Sequence, residues 1–240
     1  MQAGNHRVKR ALNACAPLLL IALLSVQAFC QNESLSQGPY RIEITLERIE
    51  ADSWRAIDSR LVLNQNDRVR FRLRTNFSGY LYVTNQSTSG RYEVLFPGAD
   101  AGRQNKIDAG REYVIPATQG SFRITGPPGQ ELVYWVVSAM ELTGTGPAAR
   151  PQPDTSRPPN SPALIPRCDD TILRARGDCL DTSAGPKELP KTESLPADLA
   201  RLPNLKSRDL VFIRQESSSV ISSPTPLSGP VIYEFRLAHR

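Results

Sequence analysis

Two cysteines, one histidine and a few acids are the residues whose types could do chemistry in the body of this chain. Cys168 and Cys179 have ten residues between them. Two thiols in an oxidising compartment pair, and closing such a loop stabilises a fold by roughly 2–3 kcal/mol. Free thiols and a metal site are the alternatives. Asp169, Asp170, Asp178 and Asp181 lie nearby. No histidine joins the two sulfurs, the spacing fits no zinc pattern, and the acids do not follow a calcium-loop order. The expectation is a disulfide, with no metal and no cofactor.

His239 is the one histidine beyond residue 6. A catalytic base must be held by a third group, and a base next to the last residue is expected to be poorly held. Glu93, Glu131 and Glu141 sit on or near strand-like segments. A pair of such carboxylates could hydrolyse a glycan, but surface acids are the plainer reading. Gly126 to Gly129, GPPG, cannot cradle a phosphate, because Pro127 and Pro128 lack N–H donors. No catalytic residue is expected. Asn32, Asn76 and Asn85 each open an N-glycosylation sequon, which matters only in a eukaryotic host.

Arg68, Arg70, Arg72 and Arg74 alternate with Val69, Phe71 and Leu73. That is a period-2 strand with one wet face. The arginines are either a solvated face or an anion site, and form the most positive local surface of the sequence. The formal charge is +5, which becomes +2 once Arg7, Lys9 and Arg10 are set aside with residues 1–30. Nucleic acid demands clustered Lys and Arg with groove or stacking elements. None is visible, so nucleic acid is not an expected partner. Tyr80, Tyr82, Tyr92, Phe96, Tyr113, Tyr134 and Trp135 could line a groove or pack a core. Tyr134 and Trp135 must face opposite sides of a strand. With the four arginines they are the candidates for a binding surface.

The elements that would position these residues are strands. Residues 40–50 alternate, with Ile42, Ile44 and Leu46 on one face. Trp54 and Arg55 follow in a short turn, and Asn64 to Asp67 form a turn cluster. Strand 68–75 leads through Asn76–Gly79, where Gly79 is free to take φ > 0, to a hairpin of 80–85 and 91–96. Strands at 111–116 and 120–126 precede 131–142, the most apolar run after residue 30, expected to be central and covered on both faces. Two late strands, 209–216 and 230–239, return to the sheet, because two strands alone are unstable in water.

The fold class is therefore all-β: a single β-sandwich-like domain with a long Pro-rich insertion pinned by the disulfide. The core spans 40–142, the insert 143–208, and residues 209–240 complete the sheet. Residues 143–166 read as a linker. A helical turn around TILRAR and a short helix at 196–202 are expected in the insert, which otherwise is loop and hangs outside the sheet.

Residues 1–30 read as a signal peptide: a basic head, the apolar run 14–30, and small residues at its end. The run is shorter than the roughly 20 residues that span a bilayer. Cleavage is expected after Cys30 or Ala28. Acylation of Cys30 is disfavoured because Phe29 is not small. The protein is thus expected to be secreted or periplasmic, touching membrane only through the transient signal.

GYLYV, a Gly-containing turn, LFP, the Asn105–Ile107 step, AG-x-x-Y-x-IP (Ala109 to Pro116), a Phe strand and PPG-x-E-L together resemble the bacterial domain of unknown function 4384, from about Leu61 to Met140. The resemblance implies an extracytoplasmic β-sandwich-like module without established activity, and so carries over no catalytic residues. Two functions follow as expectations. The first is a non-catalytic binding or structural module meeting a protein or glycan of the cell envelope. The second is a carboxylate-dependent hydrolase of an envelope polymer.

Overall fold

The computed structural model describes residues 40–97, 105–117, 120–139, 165–169, 179–189, 210–215, 217–223 and 230–240. The signal-peptide segment, the linker and both short helices expected in the insert lie outside them. The described strands are, in chain order, β1 (Tyr40–Glu50), β2 (Ser53–Ala56), β3 (Arg68–Thr75), β4 (Gly79–Gln86), β5 (Tyr92–Phe96), β6 (Lys106–Ile107), β7 (Glu112–Ile115), β8 (Phe122–Arg123), β9 (Gly129–Ser138), β10 (Gly185–Lys187), β11 (Val211–Arg214), β12 (Ser219–Ser223) and β13 (Val231–His239).

They pair into two antiparallel sheets. The first runs β11-β12-β1-β3-β7, with β2 paired to β1 and β8 to β3; the second runs β10-β13-β9-β4-β5, with β6 paired to β4. The alternation read from the sequence explains why they face each other. Ile42, Ile44 and Leu46 on β1 and Val69, Phe71 and Leu73 on β3 point inward, against Leu81 and Val83, Val133, Trp135 and Val137, and Val231, Tyr233, Phe235 and Leu237 of the second sheet. Fully burying such side chains stabilises by about 1.5–3 kcal/mol each. Phe71 sits at the centre, edge-on to Trp135 at 5.4 Å and to Phe235 at 5.0 Å across the gap between the sheets.

The late strands do return to the core, but to different sheets. β11, within the expected strand 209–216, pairs with β12 and through it joins β1, whereas β13 lies between β10 and β9. Both β9 and β13 are buried on both faces, as their near-continuous apolar runs require.

Three local expectations need correction, and one strand has no counterpart among them. Trp54 and Arg55 lie on β2, which folds back on β1 through Ala51 and Asp52, both at positive φ (45° and 65°). That hairpin geometry is normally signalled by Asn-Gly or Asp-Gly, so Ala-Asp concealed it. Strand β12 has the serine-rich sequence SVISS and carries little periodic signal, yet Val220 and Ile221 are buried. Part of the insert does not hang outside. Residues 185–187 form β10 on the edge of β13, and Cys179, Leu180, Ala184 and Leu189 are buried. Gly79 does not use positive φ; a Cβ there would stand 2.3 Å from the backbone oxygen of Ser138, so close approach of β4 to β9 demands glycine.

Candidate functional site

The outer face of the first sheet is built by register. Arg74 of β3 lies between Glu43 of β1 and Glu112 of β7; Arg72 lies between Thr45 and Val114; Arg70 faces Glu47; Arg68 faces Arg123 of β8. The four arginines therefore do share one face, as their spacing requires. Glu47, although on that outer face, is only 4 % exposed. Arg70 Nε reaches its Oε2 at 2.6 Å and Arg72 Nε its Oε1 at 2.8 Å, so two guanidinium stems cover one carboxylate. Arg70 also lies over the Trp54 ring, 4.3 Å from its centroid. Arg72 extends a second contact to Glu112 at 3.4 Å. Arg68 and Arg74 stay exposed.

A second polar group occupies the inner face at one end of the second sheet. Asn85, Glu131 and His239 share the strand parity of Val83, Val133 and Leu237, so all three point between the sheets. Glu131 accepts from Asn85 Nδ2 at 2.9 Å and from the Thr88 N–H at 3.3 Å. His239 Nε2 lies 3.4 Å from Glu131 Oε1. His239 is not poorly held. It ends β13 opposite Gly129, and the segment at Leu63 grips both sides of it: Leu63 N–H donates to Ala238 O at 2.8 Å, and Arg240 N–H to Leu63 O at 3.0 Å. With His239 1 % and Glu131 3 % exposed, the pair is closed to a substrate and ties the last strand to the β4–β5 turn. Glu93 is exposed on edge strand β5. Glu141 lies outside the described residues.

The disulfide joins Cys168 to Cys179, with 4.8 Å between their Cα atoms. Beside it Asp181 accepts from the Arg167 N–H at 3.0 Å, the Ser183 N–H at 2.8 Å, Ser183 Oγ at 2.6 Å and Gln130 Nε2 at 3.2 Å. Burial raises its pKa, but these donors outweigh burial and hold the carboxyl below its ordinary value of 3.8. Asp169 accepts from the hydroxyl and N–H of Thr182. These two acids serve as loop fasteners. Among the described residues no group of three or more His, Cys, Asp or Glu is placed to hold a metal ion. Lys187 on β10 also has its pKa lowered, here against its charged form, by burial and then by the charge of Arg236.

Tyr134 and Trp135 face opposite sides, but neither is a binding surface. Trp135 is fully buried in the main core, stacked on Tyr233 at 6.1 Å. Tyr134 is buried with Val136, Ile232 and Leu189. The described part of the insert covers that outer side, which no periodicity in β9 could reveal. Glu47 and Trp54 were the residues missed on the arginine face; the only sequence signal was that Glu47 shares the outward parity of Glu43.

Residues 62–141 match the model of the family described as Domain of unknown function (DUF4384). No curated protein and no solved structure matches the chain. The matched stretch holds β3 to β9 but neither β1 nor β13, the strands that flank β3 and β9 in their sheets.

Proposed function

We propose that this chain is an exported module of the cell envelope that binds rather than catalyses, presenting the outer face of its first sheet to a protein or glycan partner. The observation that carries the reading is that face itself. Arg68 and Arg74 stand exposed on one rigid strand, with Arg70 and Arg72 fixed between them by Glu47. Fixed cations on a sheet lose little conformational freedom on meeting an anionic partner. The inner carboxylate, Glu131, is by contrast consumed by internal donors, which favours binding over hydrolysis. A disulfide fits an oxidising compartment, and residues 1–30 supply the route to it.

The test begins with expression of the chain with its own first 30 residues in a bacterial host. Intact mass of the exported protein is expected to start at Phe29 or Gln31; a diacylglyceryl mass on Cys30 would replace free export by a membrane tether. The purified protein is then sedimented with sacculi and with membranes at about 0.15 M salt. One fraction should retain it, and Arg68→Gln/Arg74→Gln should weaken retention. Retention by neither fraction, or retention indifferent to both arginines, overturns the reading.

A further inference from the structure

The charge on the outer face of the first sheet is not uniform along β3. At one end Arg74 lies in register between two acids, Glu43 and Glu112, on its two neighbours. At the middle Glu47 serves Arg70 and Arg72. At the other end Arg68 is paired in register with another arginine, Arg123. Side chains directly opposed on one face of an antiparallel pair start from Cβ atoms about 5 Å apart, and like charges there repel.

No carboxylate relieves this pair among the described residues. Asp67 is adjacent in sequence, but alternation sends it to the other face, where it accepts from the Asn64 N–H at 2.9 Å and Arg48 Nη1 at 3.3 Å. Arg68 Nη2 donates instead to Ser121 Oγ at 3.0 Å, a neutral partner on a residue 5 % exposed. Both arginines are exposed. The two side chains thus leave the sheet side by side, Arg68 steered by a buried hydroxyl, with five donors each and, among the described residues, no carboxylate paired with either.

We infer that Arg68 and Arg123 form a binding site for a phosphoryl group. Two adjacent cations call for a ligand with about two negative charges, which a phosphate monoester carries near neutral pH and a single carboxylate does not. Guanidinium forks match the paired oxygens of a phosphoryl group. The site sits on the face assigned above to the envelope partner. It rests on that reading only for its compartment and names the chemistry the partner would offer.

The experiment titrates the purified protein with inorganic phosphate at constant ionic strength, read by calorimetry and by melting temperature. Saturable binding in the millimolar range with a rise in Tm is expected. Arg68→Gln/Arg123→Gln should bind at least about tenfold more weakly and lose the phosphate-dependent rise. Its melting temperature without phosphate should equal or exceed that of the unaltered protein, since the like-charge pair is gone. Arg123→Gln alone, an exposed position, guards against misfolding of the double variant. Arg91→Gln, an exposed arginine in the turn between β4 and β5, should bind as the unaltered protein does. Phosphate that binds equally to the double variant, no saturable binding, or acetate binding as well as phosphate each overturns the site. Glycerol 3-phosphate and vesicles containing phosphatidic acid then separate sources. Binding of the first alone marks a soluble or polymer-borne group, recruitment to the second a lipid headgroup, and binding of neither overturns the inference. Envelope retention that persists while phosphate is ignored sinks this site and leaves the proposed function standing; phosphate binding without retention does the reverse.

Discussion

His239 Nε2 lies 3.4 Å from Glu131 Oε1, inside the sandwich and at the end of its last strand. The same carboxylate accepts from Asn85 and from the backbone of Thr88. One acid therefore joins β9, β13 and the β4–β5 turn where the apolar core stops. Glu131→Ala strands two buried donors, a loss of about 2–4 kcal/mol. In a domain this size that lowers Tm by roughly 4–16 °C. Thermal unfolding of the variant within about 1 °C of the unaltered protein would show that the cluster carries no stability.

The β1–β2 turn holds Ala51 and Asp52 at positive φ. An L-residue with a Cβ is disfavoured there by roughly 1–2 kcal/mol. Ala51→Asn with Asp52→Gly suits the geometry and should raise stability by about 1 kcal/mol in urea unfolding, with an unchanged m-value. A loss of stability would mean that the turn is held by contacts these residues make elsewhere.

Gly79→Ala should be severe. Its Cβ would meet the Ser138 backbone oxygen at 2.3 Å, and neither strand can move without disturbing the ladder between β4 and β9. A cost of about 2–4 kcal/mol is expected, within the range of strained core substitutions. Soluble, natively melting Gly79→Ala protein would place more give in this ladder than the geometry allows.

Asp181 links acidity to stability. Its folded pKa lies below its ordinary 3.8, since donors outweigh burial. The unfolded state thus takes up the proton first, so the contribution is fully present above pH 3.8 and is lost as pH falls through the lower, folded value. Asp181→Asn should be less stable than the unaltered protein at pH 7, and the gap should close in acid. A gap constant from pH 7 to pH 2 would assign the effect to shape rather than charge. Replacing Cys168 and Cys179 by serine tests the same loop, with a loss of about 2–3 kcal/mol.

Removing residues 230–240 should abolish folding, because β13 supplies Val231, Tyr233, Phe235 and Leu237 to the core and occupies the place beside β9. The matched family stretch, 62–141, lacks both β1 and β13. Expressed alone, it should expose the inner faces of β3 and β9 and aggregate. A cooperative melt from either fragment would refute this account.

What the sequence by itself determined was whatever depends on neighbours a few residues away. Alternation in 68–74 and 230–239 specified strands and the side each residue faces, because side-chain direction reverses at every step. The disulfide was readable because Cys168 and Cys179 have no rival outside the first 30 residues. The tertiary structure alone decided what rests on pairing across long separations. Register, not composition, set Glu47 beneath Arg70 and Arg72, gave Arg68 an arginine for a neighbour, and carried His239 to Glu131. It also laid β10 against β13, turning Tyr134 from a surface candidate into a buried ring. Such pairings are set by the burial of whole sheet faces, so no local window of residues contains them.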